Sequence, residues 1–259
     1  MKPGMHTFTR RELIGMGVAG LGTSLLSGCL KGVTEPPLMK DPILTTRVTA
    51  PKGTATIGAT VPYAVGGQDA VLYVPAGYQP STPAPFVLML HGEGEVALTA
   101  LNLFQPHADA AGLVLLAVDS SSTTWDVIVG DEYGPDVTFI NSALAAAFNQ
   151  VNVDPTRVSI EGFSDGASYA LAMGRTNGTF FSRIMAFSPG EEPGYDPTGK
   201  PKIFLSQGLN DPINIAAETG EFFNQQLIAA GYSVDFVEFN GVHEIPDVVV
   251  QQAIAWMAT

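Results

Sequence analysis

Strands and helices alternate along this chain, and the alternation predicts an α/β domain built on a doubly wound, mostly parallel sheet. Three observations carry that prediction. Residues 85–90 and 112–118 are continuous apolar runs, the pattern of strands buried on both faces. The stretch after Pro135 places Val137, Ile140, Leu144, Ala147 and Phe148 at helical spacing. Gly162-Phe163-Ser164-Asp165-Gly166 falls where a strand at 157–161 should turn into a helix at 167–173.

The elements follow in order. Residues 70–74 read as an early strand, bounded by Gly67 and Pro75. The apolar run at 85–90 ends at His91-Gly92. A helix is expected over 97–111, with Pro106 an awkward residue in its middle. The run at 112–118 is the next strand. Pro135 suits the first turn of the following helix, where its missing N–H costs nothing. Asp154-Pro155 closes that region and the strand at 157–161 begins. Strands at 184–187 and 202–206, a helix over 215–229, a strand at 233–239 and a helix over 246–257 complete the pattern. In the last helix Val249, Val250, Ile254 and Met257 form one apolar face. The connection at 188–201 is rich in Gly and Pro and too short for a helical lid, so no cap domain is expected.

Size and charge narrow the function classes. A chain of 259 residues with 46% hydrophobic and 14% charged residues suits one sizeable core. The formal net charge is -13, and no Lys or Arg occurs between residues 53 and 156. Such a surface repels polyanions, which disfavours nucleic acid as a partner and strongly anionic molecules as substrates.

The N-terminal segment reads as an address. Thr9-Arg10-Arg11-Glu12-Leu13-Ile14 is a twin-arginine pattern, followed by a weakly apolar, Gly-rich stretch to Gly28. Leu26-Ser27-Gly28-Cys29 resembles a bacterial lipobox, and Cys29 is the single cysteine, so no intramolecular disulfide can form. The expected organisation is a signal segment at 1–28, a Pro- and Thr-rich tether at 29–52 and a catalytic domain at 53–259. Acylation of Cys29 would make the protein an exported lipoprotein, anchored to a bacterial membrane without spanning it. The alternatives are a signal anchor with an incidental cysteine and, within the tether, a first strand at 44–48.

G-x-S-x-G at a strand-to-helix turn is the pattern of a nucleophile elbow, with the serine oxygen exposed on a sharp turn. Ser164 needs a base within hydrogen-bond reach and a group that orients the base. The chain has four His: His6, His91, His107 and His243. In elbow enzymes of this layout the acid and then the histidine follow the serine in the chain, and only His243 follows Ser164. The acid is expected just past a strand end, which selects Asp211 in Gly208-Leu209-Asn210-Asp211-Pro212, with Glu191 and Glu192 as fallbacks. The oxyanion of an acyl-transfer intermediate needs two N–H donors. Those of Asp165, after the nucleophile, and Glu93, in the loop after the strand ending at Leu90, are the candidates, with Gly94 the alternative to Glu93. The Asp165 carboxylate also suits the first turn of a helix. Residues 119–125, with Trp125, are expected to line one side of the pocket. No His/Cys/carboxylate cluster has metal-ligand spacing, and neither metal nor cofactor is implied.

With these segments in place the chain resembles the serine α/β-hydrolases. The similarity is to a small-esterase group that includes phospholipase/carboxylesterase-like, polyhydroxybutyrate-depolymerase-like and feruloyl-esterase-like proteins. The matching segments are residues 73–78, His91-Gly92-Glu93-Gly94, residues 162–166, Asn210-Asp211-Pro212 and Gly241-Val242-His243. The resemblance implies an α/β-hydrolase fold and hydrolysis of small or accessible esters through an acyl-enzyme. Glu93 departs from the pattern, because a small or neutral residue is usual at that place in the oxyanion loop. Two other readings remain open: a peptidase or amidase on the same fold, and a non-catalytic binding lipoprotein.

Overall fold

The structure is a computed structural model that describes residues 39–65, 68–191, 193–215 and 219–259. The twin-arginine segment, the lipobox with Cys29, and Glu192 lie outside the described residues.

Eight strands form one mixed sheet in the order β1-β2-β4-β3-β5-β6-β7-β8. They are β1 Thr60–Val65, β2 Gln68–Tyr73, β3 Ala84–Leu90, β4 Val114–Val118, β5 Val153–Phe163, β6 Arg183–Phe187, β7 Lys202–Gly208 and β8 Val234–Phe239. The β1–β2 and β2–β4 pairs are antiparallel, and every pair from β4 to β8 is parallel. The helices are α1 Ala97–Ala111, α2 Asp126–Gly130, α3 Pro135–Phe148, α4 Asp165–Thr176, α5 Gly220–Ala229 and α6 Asp247–Met257.

The continuous apolar runs are explained by helices on both faces of the sheet. Along β3, Phe86 and Leu88 belong to a core built with residues of α3, α4 and α5, such as Leu144, Leu171 and Leu227. Val87 and Met89 point the other way, into a core built with α1 and α6, including Leu101, Phe104 and Val250. All four of these β3 residues are fully buried, and each such side chain contributes about 1.5–3 kcal/mol relative to exposure.

Several details differ from the sequence reading. The edge strand β1 and the short helix α2 were not anticipated: β1 carries Pro62, and α2 is a five-residue helix inside the polar connection after β4. Helix α5 spans Gly220–Ala229, and residues 216–218 of the expected helix lie outside the described residues. Pro106 stands inside α1, where it is tolerated.

The tether boundary also needs correction, because residues 39–52 are packed on the domain. Leu44 is 1% exposed, and its N–H donates to Asn177 Oδ1 at 2.8 Å. Thr45 and Thr46 N–H groups both donate to Asn141 Oδ1. Met39 and Tyr133 exchange backbone hydrogen bonds. This strap forms no strand at 44–48, because its N–H groups meet Asn side chains instead of a neighbouring ladder.

Candidate active site

The parallel strands bring their carboxyl ends to one edge of the sheet, where ligands of such folds bind. Strand β5 ends at Phe163 and α4 begins at Asp165, so Ser164 alone makes the turn, with φ 55° and ψ −119°. A non-glycine residue in that region stores of order 1–3 kcal/mol of strain. The flanking glycines make the turn possible. A Cβ on Gly162 would collide with the Gly166 carbonyl, and one on Gly166 with the Leu90 and His91 carbonyls. The serine is pinned by its own N–H, which donates to Phe187 O at 2.9 Å.

The three residues selected from sequence converge here. His243, in the loop between β8 and α6, places Nε2 2.9 Å from Ser164 Oγ. Its Nδ1 lies 2.7 Å from Asp211 Oδ2. With Nδ1–H donating to the carboxylate, Nε2 is left as the acceptor for the serine O–H. Asp211 follows β7, and its Oδ1 accepts from the Ile213 and Asn214 N–H groups at 2.8 and 2.9 Å. Burial alone would push the Asp211 carboxyl up. The hydrogen bonds from His243, Asn214 and Ile213 outweigh it and hold the group below its ordinary value. Asp211 is buried and His243 half-buried. Glu191, a fallback acid, instead has its backbone N–H on Ser168 Oγ.

The loop expected to supply an oxyanion donor follows β3. Gly94 N–H is taken up by Thr123 O at 2.7 Å, which removes the alternative donor. Among the described residues, the backbone N–H groups of Glu93 and Asp165 have no hydrogen-bond partner. The Glu93 side chain is exposed. The carboxylate that turns inward in this loop is that of Glu95, whose Oε2 accepts from Gly92 N–H at 3.1 Å.

His91 is the hub of the loop. It is 1% exposed; its Nδ1 faces Gly92 O at 2.7 Å and its Nε2 accepts from Ser120 N–H at 3.0 Å. Trp125, fully buried, donates its indole N–H to His91 O at 3.0 Å and stacks on Tyr169. Thr124 Oγ1 donates to Asp165 Oδ2 at 2.8 Å. The loop at 119–125 thus borders the site, as the sequence suggests, but Trp125 is part of its foundation rather than its lining. One supporting residue escaped the sequence reading, Gln207, which donates to Asp211. A polar residue at the end of the apolar run at 202–206 was the only signal for Gln207.

No helix separates β6 from β7 among the described residues. A cavity of about 370 Å³ beside α1, lined by Pro62, Asp69, Val96 and Asp119 among others, includes none of Ser164, Asp211 or His243. Among the described residues no group of three or more His, Cys, Asp or Glu side chains could hold a metal ion.

No protein-family model matches this sequence. The chain is 30% identical over 159 residues to feruloyl esterase C of Emericella nidulans, which covers 58% of this chain and 57% of that protein. It is 39% identical over 80 residues to an acetylxylan esterase of Coprinopsis cinerea, covering 28% of this chain and 21% of that protein. The chain thus spans little more than half the length of the first relative and about a fifth of the second. The S-formylglutathione hydrolase of Staphylococcus aureus superposes with a TM-score of 0.66 at 17% identity, over 82% of this chain and 100% of that one. Strand order, the strand-to-helix turn at Ser164 and the structural likeness agree that the chain has the α/β-hydrolase fold.

Proposed function

We propose that this chain is a serine carboxylic-ester hydrolase that works through an acyl-enzyme. One observation carries the reading: the unbroken Ser164 Oγ–His243 Nε2 and His243 Nδ1–Asp211 Oδ2 contacts at 2.9 and 2.7 Å. Ser164 Oγ attacks the ester carbonyl carbon as His243 Nε2 takes its proton. Asp211 stabilises the resulting imidazolium and keeps the ring in the tautomer that the next step needs. The oxyanion receives the free N–H groups of Glu93 and Asp165, each worth roughly 2.7–4 kcal/mol in the transition state. Collapse expels the alcohol, which takes the proton from His243. Water activated by the same imidazole then releases the acid and regenerates Ser164.

The relatives named for feruloyl and acetylxylan esters support ester rather than amide substrates. An opening with no lid among the described residues suits small esters or accessible ester groups on larger molecules. The N-terminal signals support an exported protein tethered to the cell envelope through acylated Cys29.

The test is hydrolysis by the purified full-length chain of p-nitrophenyl acetate, p-nitrophenyl butyrate, methyl ferulate and matched amides. Ester turnover that disappears in Ser164→Ala supports the reading. Turnover that survives Ser164→Ala removes the assigned nucleophile. Preference for the amides favours a peptidase or amidase, and no turnover at all favours a binding lipoprotein.

A further inference from the structure

Gln207 is the last residue but one of β7 and is fully buried. Its side-chain NH₂ has both hydrogens engaged: Nε2 lies 2.8 Å from Asp211 Oδ2 and 2.7 Å from Asn214 O. The first bond reaches the same carboxylate oxygen that accepts from His243. The second clips the loop whose N–H groups, from Ile213 and Asn214, hold the other oxygen. Asn214 Nδ2 extends the chain of bonds to Ser188 O, at the end of β6. The amide cannot be turned over, since its oxygen would then face a carboxylate oxygen and a carbonyl. Held this way, Oε1 has no hydrogen-bond partner among the described residues. That cost, about 1–3 kcal/mol, makes Gln207 a poor choice for stability alone.

The rotamer is fixed from behind. Gly220, the first residue of α5, sits so close that a Cβ there would lie 2.7 Å from Gln207 Cβ and 2.9 Å from its Cγ. The helix therefore rests its glycine backbone on the stem of Gln207.

Building on the assignment of Ser164, His243 and Asp211 as a catalytic triad, we propose that Gln207 is a positioning residue. Its amide, clamped by Gly220, fixes Asp211 Oδ2 in line with His243 Nδ1. An Asp held only by its own turn could rotate and share its charge with solvent. With Gln207 in place both carboxylate oxygens are fully engaged, and the imidazole has one direction in which to point.

The experiment compares Gln207→Leu, Gln207→Glu and Gly220→Ala with the wild type in the full chain, measuring kcat and KM for p-nitrophenyl acetate across pH, with folding followed by circular dichroism. Ser164→Ala is run in parallel; if it keeps activity, the triad reading has failed, whatever the Gln207 variants do. Gln207→Leu should fold and lose about 10- to 100-fold in kcat with KM nearly unchanged. Gly220→Ala, which displaces the Gln207 stem, should lose kcat in the same direction. Gln207→Glu can make the bond to Asp211 only while one of the two adjacent carboxyls holds a proton. Its kcat should therefore fall at higher pH, along a new alkaline limb that the wild type lacks. Wild-type kcat in folded Gln207→Leu, or a wild-type pH profile in Gln207→Glu, overturns the proposal. So does activity lost only in proportion to the folded fraction.

Discussion

The ring of Phe163 lies against the imidazole of His243, with centroids 4.7 Å apart and planes tilted by 35°. Phe163 thus packs on the His243 ring, while Ser164 and Asp211 meet its nitrogens. Removing that face should loosen the imidazole without touching its hydrogen-bond partners. Phe163→Ala is expected to lower kcat by about 10-fold or more, with Phe163→Leu falling between it and the wild type. Steady-state kinetics on a p-nitrophenyl ester checks this; equal kcat in all three proteins would show that the packing does not orient the base.

Glu161 stands two residues before Phe163 and is fully buried in the sheet, with neither carboxyl oxygen hydrogen-bonded among the described residues. Its neighbours in register are Met89 on β3 and Met185 on β6. Burial, reinforced by the nearby Glu95 carboxylate, pushes its pKa well up and favours the neutral acid. An apolar side chain of similar length should fit better. Glu161→Met is expected to stabilise the protein by about 1–3 kcal/mol, raising Tm by roughly 2–4 °C per kcal/mol. A lower Tm in calorimetry would show that the acid has a partner the packing does not reveal.

What could be read from sequence and what could not divide along physical lines. Buried strands such as β3 and β4 announce themselves, because helices on both faces demand unbroken apolar runs. Ser164, Asp211 and His243 are legible because each sits at a strand end in a turn with its own local chemistry. Glu93 departs from the small or neutral residue usual in its loop, yet the fold leaves its side chain exposed and turns the Glu95 carboxylate inward. Contacts between segments far apart in the chain leave no local trace. Asn177 meets the backbone at Pro42 and Leu44 from more than 130 positions away, and nothing in the periodicity of either segment records it.

That strap should be measurable. Asn177 accepts from Leu44 N–H and donates to the Pro42 carbonyl at 2.7 Å, while Leu44 itself is buried in the main core. Leu44→Ala is expected to cost about 2–4 kcal/mol. A chain beginning at Gly53, which lacks the whole strap, should be less stable than that variant. Urea unfolding of the two against the full chain tests the expectation; a truncated chain as stable as the wild type would return residues 39–52 to the status of a tether.

The loop that borders the site is held by a buried and a half-buried carboxyl, Asp136 and Asp126, at the entrance to α3, and they should make its anchorage depend on pH. Asp136 accepts from the Ser121 and Asp126 N–H groups at 2.6 and 2.7 Å, and Asp126 from Gly134 and Asp136 N–H at 2.7 and 3.0 Å. Burial, then the neighbouring Asp126 charge, pushes Asp136 from its ordinary 3.8 up to about 6. A carboxyl raised in the fold favours the native state while protonated. Its contribution is full below pH 3.8 and is lost as pH rises through about 6. The gap corresponds to about 3 kcal/mol. Asp136→Asn gives up the bond from Asp126 N–H and so starts less stable, but it cannot titrate at this position. The wild type should therefore lose stability relative to Asp136→Asn as pH rises from about 4 to about 7. Denaturant midpoints for the two proteins across that range read the difference directly, and a difference that stays constant with pH would show that Asp136 ionises as readily in the fold as in water.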